Sequence, residues 1–327
     1  MRSTNRQKAS IGFFFSFVFI LLMFFNWCTP SIYRAFPNDY ARTRLILNTL
    51  DNISHVPEVV VFGNSRGMSG IDGYRLEEKL EGNPVVYNFT STGQTLSESI
   101  LYYTSLPSSV KRVIQCVDID RLSAPIDDMD LPNRVALHMY GYEMDEATRA
   151  FLPGLHERMD YPDACYNYEA RNCLFMGLAS WIRDLLDDDV VTGMLETELR
   201  YPNSSMSDRN ETLYRHSVEE QNRTNRLDSF HIREEWVDLI MKTHALLKDK
   251  GIDYCLVVMP YNPDVTSMSN SDKKRALRLF KEKYYFVPVI DCMEQLDASD
   301  FYDAIHPNRK GAEKITNFIL ASIMESR

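Results

Sequence analysis

Two short segments of the chain contain residue types that could together perform nucleophilic catalysis. The first is GNSRG at positions 63–67, where glycines on both sides of Ser65 let the backbone turn sharply and present the hydroxyl. The second is FYDAIHPN at positions 301–308, where Asp303 precedes His306 by three residues, so the carboxylate can hold one imidazole nitrogen while the other faces a neighbour. A serine needs a base to take its proton, and a histidine oriented by a carboxylate is the usual base. These residues predict Ser65 as nucleophile, His306 as base and Asp303 as orienting group.

A third segment, NFTSTG at positions 88–93, precedes a predicted helix and could serve the same site. Thr95 and Glu98 form a capping-box pattern, which predicts a helix over Leu96–Leu106. The N–H of Gly93 would then lie near a helix N-terminus, where it can face a developing oxyanion. Each of the three segments by itself also fits an ordinary turn, so the prediction depends on their combination.

Five short apolar runs, rich in Val and Ile, predict the strands that must position these residues. Their composition is typical of strands that are buried on both faces, as in a parallel sheet. The runs are Glu58–Phe62, Val85–Phe89, Arg112–Val117, Tyr254–Met259 and Phe286–Ile290. Helical patterns alternate with them, which predicts an α/β doubly wound, mainly parallel five-stranded sheet. In such sheets ligands bind at the carboxyl ends of the strands, where all three segments lie.

More than a hundred residues separate the third predicted strand from the fourth, far too many for a single crossover. We therefore predict an insertion at about 127–230. It contains one amphipathic helical pattern around Leu174–Leu185 and an acidic run at Asp187–Asp189, which fits a solvated helix end. The insertion could be a lid, a partner-docking surface or a subdomain.

The N-terminus predicts a single membrane anchor. Residues 11–25 carry no charge, and a helix over Ala9–Cys28 would be about 30 Å long, enough to cross the hydrocarbon core. All charges before it are basic, so residues 1–10 would be a cytoplasmic tail, 11–28 the anchor and 29–327 an extracytoplasmic domain in the cell membrane. A cleaved signal peptide is the competing interpretation, but no A-x-A-like site follows the apolar run.

Composition excludes several classes of function. The chain has 46 acidic and 36 basic side chains, a formal charge of −10, which argues against a nucleic-acid partner. With no C-x-x-C or H-E-x-x-H pattern, we expect no metal and no cofactor. Cys116 and Cys255 lie in strand-like runs and are predicted core residues, whereas Cys165 and Cys173 are close enough in sequence to pair in an oxidising compartment.

Together, GNSR, NFTSTG and DAIHPN resemble three sequence blocks of the SGNH (GDSL-like) hydrolase and acyltransferase family. The resemblance implies a flavodoxin-like SGNH fold, the Ser65, His306 and Asp303 triad, and an oxyanion hole from the N–H groups of Ser65 and Gly93. The family usually adds an Asn after the third strand, where this chain has Asp118, and an ionised Asp repels an oxyanion. Asn64 and Asn88 are candidate replacement donors.

Membrane-anchored branches that lack this Asn are the more similar ones, namely proteins of teichoic-acid D-alanylation and of alginate O-acetylation. That resemblance implies a membrane-bound O-acyltransferase partner and an envelope glycan substrate. We therefore expect a serine acyltransferase or esterase acting on O-acyl groups of a cell-envelope polysaccharide; the sequence does not separate transfer from hydrolysis. The alternative is a non-catalytic glycan-binding or scaffold protein of an envelope-modification complex, for which Asp118 is the best support.

Overall fold

The structure is a computed structural model that describes ten ranges of the chain. These are residues 2–35, 40–51, 57–126, 131–151, 162–163, 165–171, 209, 211–224, 230–266 and 270–325. Five strands and eleven helices of these ranges are named below. The strands are β1 (Val59–Phe62), β2 (Val86–Asn88), β3 (Arg112–Val117), β4 (Asp253–Val258) and β5 (Val289–Asp291). The helices are α1 (Arg2–Ala35), α2 (Ala41–Asp51), α3 (Ser65–Gly70), α4 (Gly73–Lys79), α5 (Leu96–Tyr103), α6 (Leu131–Met139), α7 (Glu146–Phe151), α8 (Glu211–Thr224), α9 (Glu234–Asp249), α10 (Asn270–Lys283) and α11 (Arg309–Glu325).

The five strands form one sheet in the order β2-β1-β3-β4-β5, and every pairing is parallel. The predicted α/β class and parallel five-stranded sheet are therefore confirmed. Each of the five predicted runs overlaps an observed strand, and β3 has the predicted bounds. The chain enters the sheet at β1, next to the edge strand β2, and after β2 it crosses back past β1 to β3, so the loops after β1 and β3 flank a crevice at the carboxyl edge.

Successive residues of a strand point to opposite faces of the sheet. Both faces are therefore apolar, and helices pack on each of them. In β1, Val60 and Phe62 pack in one apolar cluster with α5, α9 and α10, whereas Val59 and Val61 pack in another with α4 and α11. Cys116 and Cys255 belong to the second cluster, as predicted for core residues, and Cys292, for which the sequence indicated no role, is buried there too.

Local signals explain the start of α5 and the end of α9. Thr95 caps α5, because its hydroxyl accepts the N–H of Glu98 at 3.3 Å. Gly251, which follows the end of α9, has φ +70°, a left-handed conformation that glycine adopts readily at a helix C-terminus. Helix α5 ends three residues earlier than predicted.

The N-terminal helix α1 is longer than the predicted anchor. Its stretch Gly12–Ala35 is the one helix, among the described residues, that is long and apolar enough to cross a membrane. The side chains from Phe13 to Phe25 are mostly exposed, and Trp27 is 78% exposed. From Thr29 onward the helix packs on the rest of the chain, where Tyr33 is completely buried. Within α1, the exposed large apolar side chains thus lie in the part predicted to be in the membrane.

The chain between β3 and β4 contains α6, α7, α8 and α9, of which α9 is the ordinary crossover helix. Helix α6 and residues 165–171 form a small apolar cluster with Tyr33 of α1. The predicted helix around Leu174–Leu185, the acidic run at Asp187–Asp189 and Cys173 lie outside the described residues. Cys165 is an exposed free cysteine.

Candidate active site

The structure brings Ser65, His306 and Asp303 into hydrogen-bond contact, although 241 positions separate the serine from the histidine. His306 Nε2 lies 2.9 Å from Ser65 Oγ, and His306 Nδ1 lies 2.8 Å from Asp303 Oδ2. An ionised carboxylate only accepts hydrogen bonds, so the Nδ1 proton faces Asp303 and Nε2 is left to accept the proton of Ser65. This is the geometry that general-base activation of a serine requires.

The sharp turn after β1 explains how Ser65 is presented. Gly63 has φ +143°, and a Cβ added there would lie 2.7 Å from Cys116 Cβ and 2.8 Å from the carbonyl oxygen of Cys116. Only glycine fits this position, because the backbone of β1 passes so close to β3. The side chain of Asn64 accepts the N–H of Arg66 and caps α3, which makes Ser65 the first residue of that helix.

The loop that supplies Asp303 and His306 is held tightly. The N–H of Tyr302 donates to the carbonyl of His306 at 2.9 Å, and Asp303 Oδ1 accepts the N–H groups of Ile305 and His306, both at 2.8 Å. Two further hydrogen bonds reach this loop from elsewhere in the chain, and a third holds one of the residues that make them. Ser217 Oγ on α8 accepts the N–H of Ala304, Asn262 Nδ2 donates to the carbonyl of Asp303, and Asn262 itself accepts from Tyr214 on α8.

Asp303 remains ionised in this environment. Burial alone would raise its pKa, but hydrogen bonds from the His306 side chain and from the N–H groups of Ile305 and His306 lower the pKa below its ordinary value of 3.8. Since the carboxylate stays charged, it can stabilise an imidazolium that forms when His306 takes a proton.

Asp118, the residue at the end of β3 where the resemblance expects Asn, is paired rather than free to repel an oxyanion. Its Oδ2 accepts Asn64 Nδ2 at 2.7 Å, and its Oδ1 lies 3.4 Å from Arg66 Nη1. The two partners flank Ser65 in the sequence. Asp118 therefore stabilises the turn that carries Ser65, and the neighbouring guanidinium compensates its negative charge.

Arg66 belongs to a larger, partly buried set of charges beside Ser65. Its guanidinium lies 5.1 Å from the ring centre of Tyr261, and Tyr261 donates to Asp120 at 2.7 Å. Lys273 Nζ lies 2.8 Å from Asp120 and 4.2 Å above the same ring. Burial alone would lower the pKa of Arg66, but Asp118, Tyr261 and Asp120 raise it above its ordinary value, so Arg66 keeps its charge.

The segment after β2 contains the remaining predicted residues. Asn88 is completely buried, and its Nδ2 faces the carbonyls of Gly67 and Ile71 at 3.5 and 3.3 Å, so its side chain links β2 to α3. The amide of Asn64 contacts Asp118 and Arg66, as described. Gly93 lies in the turn before α5 with φ +66°. The oxyanion-hole roles of Ser65 and Gly93, and of Asn64 or Asn88, stay predictions.

Several polar residues around the site gave no signal in the sequence. Arg42 on α2 is 1% exposed and donates to the carbonyls of Asn88 and Thr90 at 2.6 and 2.8 Å. Asn133 on α6 contacts the carbonyl of Thr92. Both come from helices that no catalytic motif identifies, and only the folded chain brings them to the loop after β2.

The candidate site lies at the carboxyl edge of the sheet, away from a cavity at its other edge. A cavity of about 810 Å³ is lined by Arg112, Asp253 and Val289, the first residues of three strands, and therefore lies at the opposite edge from Ser65. Among the described residues, no group of three or more His, Cys, Asp or Glu side chains is placed to hold a metal ion.

Comparison with known proteins adds no assignment: no protein-family model matches the chain, and no curated protein matches it significantly.

Proposed function

We propose that this chain is a membrane-anchored serine acyltransferase or esterase with an SGNH-like domain, acting on O-acyl groups of a cell-envelope polysaccharide. The observation that carries the proposal is the position of His306, whose two ring nitrogens contact Ser65 Oγ at 2.9 Å and Asp303 Oδ2 at 2.8 Å. A binding protein has no physical need for a serine, a histidine and a carboxylate in this relation.

The reaction proceeds through an acyl-enzyme. Ser65 Oγ attacks the acyl carbonyl carbon while its proton passes to His306 Nε2, and the carbonyl oxygen becomes an oxyanion that the N–H groups of Ser65 and Gly93 stabilise. Collapse of this intermediate breaks the bond to the leaving oxygen, which takes the proton from His306. A glycan hydroxyl or water then attacks the acyl group, again with His306 as base, and releases Ser65.

The environment of Asp118 supports an enzyme over a scaffold. The sequence suggested that this carboxylate would handicap catalysis, but Arg66 Nη1 at 3.4 Å and Asn64 Nδ2 at 2.7 Å offset its charge. The main objection to a catalytic role is therefore weaker in the folded protein than in the sequence.

The long exposed apolar part of α1 supports the cell-membrane location. In this proposal the N-terminus is cytoplasmic, the domain is extracytoplasmic and the acyl donor comes from a membrane-bound O-acyltransferase. The basic residues before the apolar run favour that orientation.

Labelling by a fluorophosphonate tests the proposal, because this probe reacts with a serine only when a base activates it. The full chain should be labelled in its own membranes, and Ser65→Ala should abolish the signal. Ser109→Ala is the matched control, since Ser109 Oγ bonds to the carbonyl of Pro57 before β1 and lies far from the triad.

Labelling that persists in folded Ser65→Ala would contradict the proposed nucleophile. No labelling of folded wild-type protein, in membranes that contain its partners, would contradict an activated serine and favour the non-catalytic glycan-binding alternative.

A further inference from the structure

The peptide between Thr92 and Gly93 has a dedicated hydrogen-bond donor from a distant helix. Asn133 on α6 is 1% exposed, and its Nδ2 donates to the carbonyl oxygen of Thr92 at 3.0 Å and to Glu98 Oε2 at 2.6 Å. The two amide hydrogens of Asn133 are thus both used, one on the loop after β2 and one on the first turn of α5.

The orientation of the Asn133 amide follows from its partners. A carbonyl and a carboxylate both accept hydrogen bonds, so the reversed amide would bring an oxygen against two other oxygens. In the orientation observed, Asn133 Oδ1 is buried and has no hydrogen-bond donor in the described part of the chain. Its contacts are therefore made entirely through the two donors.

A donor on the Thr92 carbonyl also controls the direction of the Gly93 N–H. The peptide unit is planar and trans, so its C=O and N–H point in opposite directions, and holding one holds the other. Gly93, at φ +66°, has no Cβ to restrict rotation of this peptide. A hydrogen bond to the carbonyl further polarises the N–H and makes it a stronger donor.

We propose that Asn133 is a positioning residue that orients the Gly93 N–H toward the oxyanion of the acyl-transfer intermediate. This inference rests on the proposed function, since it assigns a supporting residue to the same site. It also connects the site to the anchor: at the other end of α6, Arg34 Nε of α1 donates to the carbonyl of Met139 at 2.6 Å.

Two variants of Asn133 separate positioning from a purely structural role. Asn133→Leu removes both donors at similar volume. Asn133→Asp combined with Glu98→Gln keeps a hydrogen bond between positions 98 and 133, with donor and acceptor exchanged, but leaves no donor for the carbonyl of Thr92. Asn317→Leu, an exposed position on α11, is the control.

The assay is hydrolysis of p-nitrophenyl acetate by the full chain in detergent, with thermal unfolding measured in parallel. Both Asn133 variants should lower kcat by about tenfold to a hundredfold, because a misdirected oxyanion donor loses part of its effect in the transition state. KM and the midpoint of the pH–rate profile should not change, because the triad is intact. The control should match the wild type.

Three results are decisive. If the double variant regains wild-type kcat together with wild-type thermal stability, Asn133 is merely structural and the inference is overturned. A folded Asn133→Leu protein with wild-type kcat overturns it as well, and this single variant is sufficient if the double variant does not fold. A folded wild type that neither hydrolyses the ester nor reacts with a fluorophosphonate overturns the proposed function itself.

Discussion

At the scale of single residues, the proposed chemistry depends on which nitrogen of His306 carries a proton. Asp303 Oδ2, 2.8 Å from Nδ1, selects the form in which Nε2 is the free acceptor for Ser65. Asp303 is in turn held by two backbone N–H groups at 2.8 Å. The proposed nucleophile therefore depends on a carboxylate whose charge and direction are both determined by its own loop.

Asp303→Asn tests this dependence. The amide can donate to Nδ1 and so favours the tautomer whose Nε2 proton faces Ser65, which should lower kcat by as much as about 10⁴-fold. The measurement is the rate of p-nitrophenyl acetate hydrolysis at neutral pH. A variant within about threefold of the wild type would show that Asp303 does not select the tautomer.

The same residue predicts a pH dependence of stability. Because the pKa of Asp303 is lowered in the folded state, its contribution to the free energy of unfolding is complete above the ordinary value of 3.8 and is lost as the pH falls below that value. The difference in Tm between the wild type and Asp303→Asn should therefore shrink below pH 3.8. A difference that stays constant into this acid range would contradict the lowered pKa.

At the scale of elements, the turn between β1 and α3 presents Ser65 because β1 approaches β3 closely at Gly63. A methyl group at this position would lie 2.7 Å from the side chain of Cys116 and 2.8 Å from its backbone. Displacing a backbone atom in a packed core costs more free energy than moving a flexible side chain. The parallel pairing of β1 with β3 and the position of the nucleophile are thus coupled.

Gly63→Ala should lower the free energy of unfolding by about 2 kcal/mol or more, through unfavourable φ and steric overlap together, and should slow fluorophosphonate labelling. Gly82→Ala is the matched control. Gly82 has φ +85° and open space around it, so its substitution introduces only the backbone strain, about 1 kcal/mol. Thermal unfolding in detergent compares the two. Equal losses would show that the contact with Cys116 does not matter.

The elements differ in how well the sequence predicts them. Strand β3 has its predicted bounds because RVIQCV is a continuous buried run, and the observed strands lie within one residue of the predicted runs for β1, β2 and β4. The run Phe286–Ile290 predicts the bounds of the fifth strand less well, because β5 covers only Val289–Asp291. The apolar residues Phe286 and Val287 precede this strand. Val287 packs in the core but does not pair with a neighbouring strand.

The site was predictable where a motif is local and not where contacts depend on the fold. Sequence alone predicted the turn at Ser65 and the spacing of Asp303 and His306, because each is a short local pattern. The contacts of Asn133 with Thr92 and of Arg42 with Asn88 join residues 41 and 46 positions apart, and neither spacing has a periodic signature. Likewise, the sequence alone suggests that Asp118 would weaken catalysis, and only the structure shows Arg66 and Asn64 beside it.

At the scale of the whole molecule, α6 contacts both the N-terminal helix α1 and the loop after β2 at the candidate active site. The outer end of α1 packs on α6 through Tyr33, whose ring centre lies 5.4 Å from that of Tyr140, and Arg34 bonds to Met139. Helix α6 then reaches the loop after β2 through Asn133. With α1 in a bilayer, the active site would be held near the membrane surface rather than at the end of a long tether.

Tyr33→Ala tests the packing of the anchor on the domain. Removing this completely buried ring should cost about 3 kcal/mol and lower Tm by about 5–10 °C, and fluorophosphonate labelling should slow because α6 loosens. Tyr33→Phe keeps the ring and should leave labelling unchanged. Wild-type Tm and labelling in Tyr33→Ala would show that the anchor does not support the site.

The central claim, that Ser65 forms an acyl-enzyme with His306 as its base, is tested most directly by trapping that intermediate. The full chain is mixed with p-nitrophenyl acetate, quenched in acid and digested, and the acylated peptide is located by mass spectrometry. We expect the acetyl group on Ser65, with none in Ser65→Ala and far less in His306→Gln, whereas His244→Gln, a histidine lining the cavity at the opposite edge of the sheet, should match the wild type. An acetyl group on any other residue, or equal acylation in folded His306→Gln, would contradict the mechanism.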